Sequence, residues 1–537
     1  MTKGQELAVV TEELLHGAPK QSFGSQPLQP QPLQGLGRQV FASVAVALGS
    51  LLVGFSSAYT SPALVSMAEP NSTLSLTPQQ GSWVGSLMPA AALFGGMAGG
   101  FLIEWLGRKT TILLTAPFSA IAWLLIFFAS NVGWLYAGRF ISGFCVGVTS
   151  LSLPVYMGET IQPEVRGMLG LTSTTLGNIG ILLCFVLGKY LDWRYLAMVG
   201  ALCSVPYGVC TLFAPETPHW YLSKGRRGEA EAALRWLRGG AGADVAQELR
   251  ATEQGLGKGA EAAIGLPRSV TSINLVPEAQ ASPSDKSGLA LLCTRDHMRP
   301  VGVALGLMLF QQFSGINAVI FYTVKIFQDA GSTIDEFVST MVVGAVNLGA
   351  VVLATALIDR LGRRVLLAAS AAAMALALAK LGTFFYLNTC TDVDVSGYGW
   401  LPLVSFVIFV VGFSVGFGPI PWLMMGEILP PDIRGPAASL ATAVNWSCTF
   451  VVTKMFADVV EGVGSHAAFW GFCAVCVGAL VFVWACVPET RGRTLADIQR
   501  RMAGRPPPQR KRRLTVSESV AGWTASMASL KPMPTGA

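Results

Sequence analysis

Glu159 stands seven residues before Arg166 in the phrase Met157-Gly158-Glu159-Thr-Ile-Gln-Pro163-Glu164-Val165-Arg166-Gly167. The phrase returns 268 residues later as Met425-Gly426-Glu427-Ile-Leu-Pro-Pro431-Asp432-Ile433-Arg434-Gly435. Two further pairs accompany it. Glu104-x-x-Gly107-Arg108-Lys109 answers Asp359-x-x-Gly362-Arg363-Arg364, and Pro215-Glu216-Thr217 answers Pro488-Glu489-Thr490. The chemistry open to such sets is reversible ion pairing. Enzymatic chemistry is disfavoured, because no nucleophile–base or metal-ligand spacing appears anywhere in the chain. Only four histidines occur, and the ten cysteines are scattered. Cys145, Cys184, Cys210 and Cys448 lie in apolar runs, where cysteine packs as a small hydrophobe. Cys473-x-x-Cys476 has no second ligand pair nearby, and Cys390 stands alone in an expected outer loop. Neither a metal nor a cofactor is expected.

The elements that position these charges are apolar. Charged residues make up 13% of the chain and apolar ones 52%, too little charge to keep so much apolar surface in water. Stretches near the ~20 residues needed to cross a bilayer fall at 39–61, 81–104, 110–130, 133–157, 167–189, 193–214, 300–325, 337–359, 364–388, 400–425, 436–459 and 464–487. Twelve spans in an all-α membrane protein, with motifs repeated between the first six and the last six, imply a carrier made of two pseudo-symmetric halves. Arg108, Lys109, Arg166, the eleven basic residues from Lys224 to Arg299, Arg363, Arg364, Arg434 and the tail from Arg491 fall on one side; Lys189, Arg194 and Lys325 fall on the other. Positive-inside bias makes the first side, and both termini, cytoplasmic.

The expected organisation is a tail over 1–38, a six-helix bundle over 39–220, a linker over 221–299, a second bundle over 300–488 and a tail over 489–537. The first tail lacks a signal peptide's apolar core, so the first span is expected to stay as an anchor. Glu12-Glu13-Leu14-Leu15 hints at a sorting signal. Asn71-Ser72-Thr73, in the first outer loop, is a glycosylation acceptor pattern; Asn445-Trp446-Ser447 matches too but lies within a span. Residues 229–238 of the linker have an amphipathic helix's pattern, and its middle is loose in composition. Arg510-Lys511-Arg512-Arg513 would meet anionic lipid or simply be solvated, and Thr515 follows as a phosphorylation candidate. No nucleic-acid partner is indicated.

At the span ends a charge can snorkel, escaping most of the roughly 2.5–3.5 kcal/mol that one costs at the bilayer centre. Topology explains the basic residues but not the acidic ones at fixed spacing. Acid–base pairs at the ends of corresponding helices can bridge the halves in one conformation and part in another, as a latch. Gly95-Gly96-x-x-Gly99-Gly100 would let helices pack closely and slide, and tight static packing explains it equally.

These clusters, with Gly138-Arg139, the two Pro-Glu-Thr motifs and Gln311-Gln312-x-Ser-Gly-Ile-Asn317, resemble the sugar porters of the major facilitator superfamily over roughly residues 39–500. The segments Gly158–Gly167, Gly416-Phe-Gly-Pro-Ile-Pro-Trp-Leu-Met-Met-Gly426 and Asn445-Trp-Ser-Cys-Thr-Phe450 are most similar to the insect facilitated trehalose transporters. The resemblance implies the major facilitator fold and a central sugar site reached alternately from each side. Matched by position, it implies sugar contacts at Gln311, Gln312, Asn317, Asn347, Trp422, Asn445 and Trp446, and a gating network of Glu104, Arg108, Glu159, Arg166, Glu216, Asp359, Arg363, Arg364, Glu427, Arg434 and Glu489. Neutral amides, which donate and accept, suit an uncharged polyhydroxy cargo. At about 0.5–1.5 kcal/mol each, such bonds also let the cargo go.

Three positions depart from the family pattern. Thr174 replaces a glutamine on the fifth span and Ser414 a glutamate on the tenth, which would widen the cavity; a disaccharide needs that room, and a differently contacted hexose could also use it. His219 replaces an arginine after the first Pro-Glu-Thr; histidine is the side-chain type that switches near neutrality, so this half's latch is expected to be weaker or acid-sensitive. Proton-coupled relatives pair an aspartate with the arginine matching Arg139; here the position holds Ser56. With no acid or histidine at mid-span, the expected activity is facilitated, bidirectional trehalose transport at the plasma membrane. A facilitative hexose carrier is the alternative, and a transporter-like sugar receptor the reading from another class.

Overall fold

The computed structural model describes residues 35–240 except 71, 245–254, 294–491 except 332–333, 392, 394–395 and 431–432, and residues 497, 498 and 502. The sorting pattern at Glu12–Leu15, the acceptor Asn71, most of the linker, and the basic tail with Thr515 lie outside the described residues, as do the side chains of Arg166, Asp359 and Arg434.

Among the described residues the regular structure is helical. In chain order the helices are α1 (Leu36–Ala58), α2 (Thr60–Ala68), α3 (Pro78–Trp105), α4 (Arg108–Phe127), α5 (Val132–Thr160), α6 (Pro163–Gly188), α7 (Trp193–Phe213), α8 (Pro218–Ser223) and α9 (Arg227–Arg238). After the linker come α10 (Arg295–Phe313), α11 (Ile316–Asp329), α12 (Glu336–Leu361), α13 (Arg363–Cys390), α14 (Leu401–Val415), α15 (Ile420–Ile428), α16 (Arg434–Gly462) and α17 (Ser465–Cys486). Residues 245–254 are also helical. Three spans comprise two helices each: α1–α2, α10–α11 and α14–α15.

Eleven spans of the described residues are long and apolar enough to cross a membrane. The expected span at 436–459 is α16, 29 residues long but outside that set because its sequence is more polar. Asn445, Thr449 and Thr453 are buried, so the polarity that lowers its hydropathy faces the protein interior.

Side chains start several helices. Thr77 Oγ1 accepts from Gln80 N at 3.2 Å while Gln80 Oε1 accepts from Thr77 N at 3.0 Å, a reciprocal cap on α3. Asn131, Asp192, Thr217 and Asp335 cap α5, α7, α8 and α12.

The helices before the linker pack mainly on one another, α3 against α5, α1 against α6, and α4 against α5 and α7; those after it do likewise, α13 against α14 and α17, and α10 against α16. Small residues set these distances. A Cβ on Gly95 would sit 2.1 Å from the Phe144 carbonyl oxygen, and one on Gly147 2.1 Å from that of Ala92. The glycine repeat of α3 is thus used for tight packing within its own half, while Gly96 looks across to Thr442.

The loops carrying the repeated motifs gather at one end of the bundle, the motif end. There α9 buries Ala230, Ala233, Leu234 and Leu237. Arg238 holds Glu248 with bonds of 2.9 and 2.6 Å and donates to the Thr160 carbonyl, tying the start of the linker to the first half.

The two halves meet along α3 and α16, α6 and α12, and α2 and α11. The described polar contacts between them run from the middle of the molecule to the end opposite the motifs. They are Asn347 Nδ2 to Asn178 Oδ1 (2.8 Å), Val324 N to Ser61 Oγ (3.0 Å), Lys454 Nζ to Ser82 Oγ (3.0 Å) and Lys189 Nζ to Asp335 Oδ1 (3.2 Å). Lys454 also lies 5.4 Å from the Trp83 ring centre.

Candidate functional site

Two interrupted spans frame the candidate central site. After α10 the backbone turns through Gly315, whose φ of 89° is left-handed, and restarts as α11. After α14 it unwinds over Gly416–Pro419 before α15. Unwinding strands the Phe417 and Gly418 carbonyls, and buried carbonyls need donors. Gln311 Nε2 supplies both, at 2.7 and 2.9 Å.

From Gln311 the amides continue as a network. Asn445 Nδ2 donates to Gln311 Oε1 at 2.8 Å and to Met308 Sδ at 3.5 Å. Gln312 Nε2 donates to Asn445 Oδ1 at 3.1 Å and to Gln311 Oε1 at 3.4 Å, and Asn317 Nδ2 donates to Gln312 Oε1. Trp446 adjoins this network in sequence, and its buried Nε1 has no partner among the described residues.

A second group lies beside it. Ser414 Oγ donates to Asn347 Oδ1 at 2.7 Å, Asn347 Nδ2 donates to Asn178 Oδ1 at 2.8 Å, and Asn178 Nδ2 donates to the Thr174 carbonyl at 2.9 Å. Of the sequence candidates, Gln311, Gln312, Asn317 and Asn445 are thereby joined directly, and Asn347 with Ser414. Thr174 takes part through its carbonyl, its exposed side chain making no described hydrogen bond. Trp422, 40% exposed, touches neither group through a described hydrogen bond. Sequence reasoning missed Asn178. The signal available was its position, four residues after Thr174 and so on the same helix face.

The charged motifs form matching assemblies, one in each half. Arg108 reaches Glu104 and Glu159 at 3.0 Å and donates to the Ile103 carbonyl. Arg363 reaches Glu427 at 3.2 Å and donates to the Ile358 carbonyl. Each acid therefore pairs with the arginine of the neighbouring Gly-Arg motif, and in this conformation the pairs knit a half together rather than bridging the two. Glu159 Oε2 and Glu427 Oε2 are both buried without a partner among the described residues.

The Pro-Glu-Thr carboxylates sit on helix N-termini, where unpaired N–H groups and the helix dipole favour an anion. Glu216 accepts from the backbone N–H of Arg108, Lys109 and Thr217 at 2.8–3.0 Å. Glu489 accepts from Arg363, Arg364, Thr490 and Arg491 at 2.9–3.1 Å. Their acidities diverge. Burial outweighs the N–H bonds at Glu216 and raises its pKa. At Glu489 burial also pushes upward, but the four backbone donors together prevail and lower it. His219 makes no described ion pair, and its buried Nδ1 has no described partner.

Arg139 is fully buried and held by neutral oxygens. Nε donates to the Val84 carbonyl (3.0 Å), one terminal nitrogen to the Ser56 carbonyl (2.9 Å) and hydroxyl (3.4 Å), and the other to Thr60 Oγ1 (2.9 Å). Among the described residues no carboxylate pairs with it. Nor is there a cluster of three metal-ligand side chains among them; Cys473 Sγ donates to the Ala375 carbonyl.

Comparison with known proteins agrees with this architecture. The inward-open conformation of the xylose transporter XylE from E. coli superposes with a TM-score of 0.68 at 22% identity, over 85% of this chain and 98% of that one. A structure of the same proton:xylose symporter, a major facilitator superfamily protein, bound to 6-bromo-6-deoxy-D-glucose gives 0.66 at 23%, over 87% and 99%. The fold is therefore that of the major facilitators. In sequence, the chain is 58% identical over 468 residues to the facilitated trehalose transporter Tret1 of Culex quinquefasciatus, covering 87% of this chain and 86% of that one. The Tret1 of Polypedilum vanderplanki is 55% identical, with 88% of its length covered. The Tret1 of Anopheles gambiae is 57% identical, but this chain spans only 56% of its length. Residues 42–502 match the family described as "Sugar (and other) transporter", and on that match and those relatives the chain belongs to the sugar transporter family.

Proposed function

We propose that this protein carries trehalose across the plasma membrane in either direction, by facilitated diffusion through alternating access. The carrying observation is the set of neutral amides around the broken spans, one of them contributed from the opposite half. An uncharged cargo rich in hydroxyls needs groups that both donate and accept, and weak enough individually to release it. The names of these relatives support the sugar. Neutral surroundings at Arg139 support facilitation: with Ser56 as its neighbour, no carboxylate among the described residues pairs with it to couple a proton to the cycle.

The motif end, rich in arginine and lysine, is then cytoplasmic together with both termini. Contacts between the halves lie from the middle to the other end, which supports an inward-facing posture. Uptake of labelled trehalose and glucose, with and without a proton uncoupler, tests the proposal. Trehalose entry indifferent to the uncoupler is the expected result. Entry of glucose alone would assign a hexose carrier, collapse with the uncoupler would assign a symporter, and absence of flux at normal surface levels would assign a receptor.

A further inference from the structure

The amides of the site fall into two groups, and they differ in what they leave free. In the first, the Gln311 amide is fully engaged, while Asn317 keeps an oxygen and one N–H, and Gln312 and Asn445 each keep one lone pair. In the second, Asn347 and Asn178 each use one N–H and one lone pair, so each keeps one of both. Both asparagines are half-buried, within reach of a ligand. The groups are connected through one stretch of chain: Ser414 fixes Asn347, and three and four residues later the Phe417 and Gly418 carbonyls fix Gln311. That stretch runs from the end of α14 into the unwound segment before α15.

We propose that Asn178 and Asn347 form a second amide subsite, which holds one ring of a disaccharide while Gln312, Asn317 and Asn445 hold the other. Asn178 thereby supplies, one turn further along α6, the amide that position 174 lacks. The two asparagines bond each other at 2.8 Å, and on binding, sugar hydroxyls replace that bond at both ends. Because the two amides belong to opposite halves, the second ring is also the part of the cargo that both halves grip. The inference rests on the disaccharide reading above.

The test uses the full chain in cells, with surface protein quantified, and compares wild type, Asn178→Val and Asn178→Gln. The half-saturating trehalose concentration and the inhibition of trehalose entry by glucose are measured for each. Asn178→Val is expected to raise the trehalose value between about two- and tenfold, the net worth of one hydrogen bond, with glucose inhibition unchanged. Asn178→Gln, which keeps the amide, is expected to restore most of the loss. An unchanged trehalose value, an equal shift for both sugars, or glucose failing to compete at all would overturn the two-ring division. If wild type itself moves no trehalose, the transport reading fails instead, separately from the subsite.

Discussion

Gln311 has no hydrogen-bonding capacity left: both N–H groups go to the Phe417 and Gly418 carbonyls, and its oxygen receives Asn445 and Gln312. Asn317, six residues on, makes one described hydrogen bond through its amide and keeps the rest free. The same functional group should therefore fail in two ways. Gln311→Leu orphans the buried Phe417 carbonyl, at about 1–3 kcal/mol, and the part-buried Gly418 carbonyl, and is expected to lower the amount of folded protein at the surface. Asn317→Ala is expected to leave that amount intact and raise the half-saturating sugar concentration roughly two- to tenfold, within the worth of one or two lost bonds. Quantified surface protein beside uptake kinetics separates the two. Equal loss of folded protein in both variants would make Asn317 scaffolding as well.

At the scale of the element, the informative parts are the starts of α4 and α13. Each follows a glycine with positive φ, 100° at Gly107 and 92° at Gly362. At Gly107 a Cβ would lie 2.3 Å from Glu216 Oε2, so the glycine provides both the turn and the room for the carboxylate. The two caps should respond oppositely to acid. Glu489, with its pKa lowered, stabilises the fold above the ordinary carboxylate range and loses that contribution as pH falls through its folded value. Glu216, with its pKa raised, loses stability as pH rises through the window between the ordinary value and its own. Thermal unfolding of purified protein should show Glu489→Gln well below wild type at neutral pH, with the gap closing only in strong acid. For Glu216→Gln the wild type should instead gain on the variant as pH is lowered from 7 toward the ordinary carboxylate range. Gaps moving in the same direction for both would refute the assignment. Spans, motif repeats and the sidedness of charge were legible in the sequence because length, composition and self-similarity are local properties. The partner of each acid was not: Glu159 and Glu427 meet the arginines of a different motif, a tertiary pairing that spacing along one helix cannot reveal. Asn178 was hidden for a like reason, since only the fold brings it to Asn347. The span at 436–459 was read among the apolar stretches, although the buried Asn445, Thr449 and Thr453 of α16 dilute its apolar signal.

For the whole molecule, the question is what holds two internally stapled halves together. Each half keeps its own ion pairs at the motif end, and the halves meet along α3 and α16, α6 and α12, and α2 and α11, with a handful of polar contacts farther along. The outermost, Lys189 with Asp335, is partly exposed, its side chains 27% and 49% accessible. Exposed pairs of this kind contribute about 0–1 kcal/mol. So weak a tie suits an end that must open and reclose in every cycle, because a strong one would trap a single state. Replacing the ionic tie by a covalent one makes that requirement measurable. Lys189→Cys with Asp335→Cys, in a background whose exposed Cys390 and Cys486 are removed, should be joined by a bifunctional thiol reagent that attaches through reducible disulfides and is long enough to span a lysine–aspartate pair. Sugar flux should then fall close to zero and return on reduction, while either single cysteine variant keeps most of its activity under the same reagent. Flux that persists with the cross-link fully formed would mean that this end need not part, and rocking of the two halves could not be the transport motion.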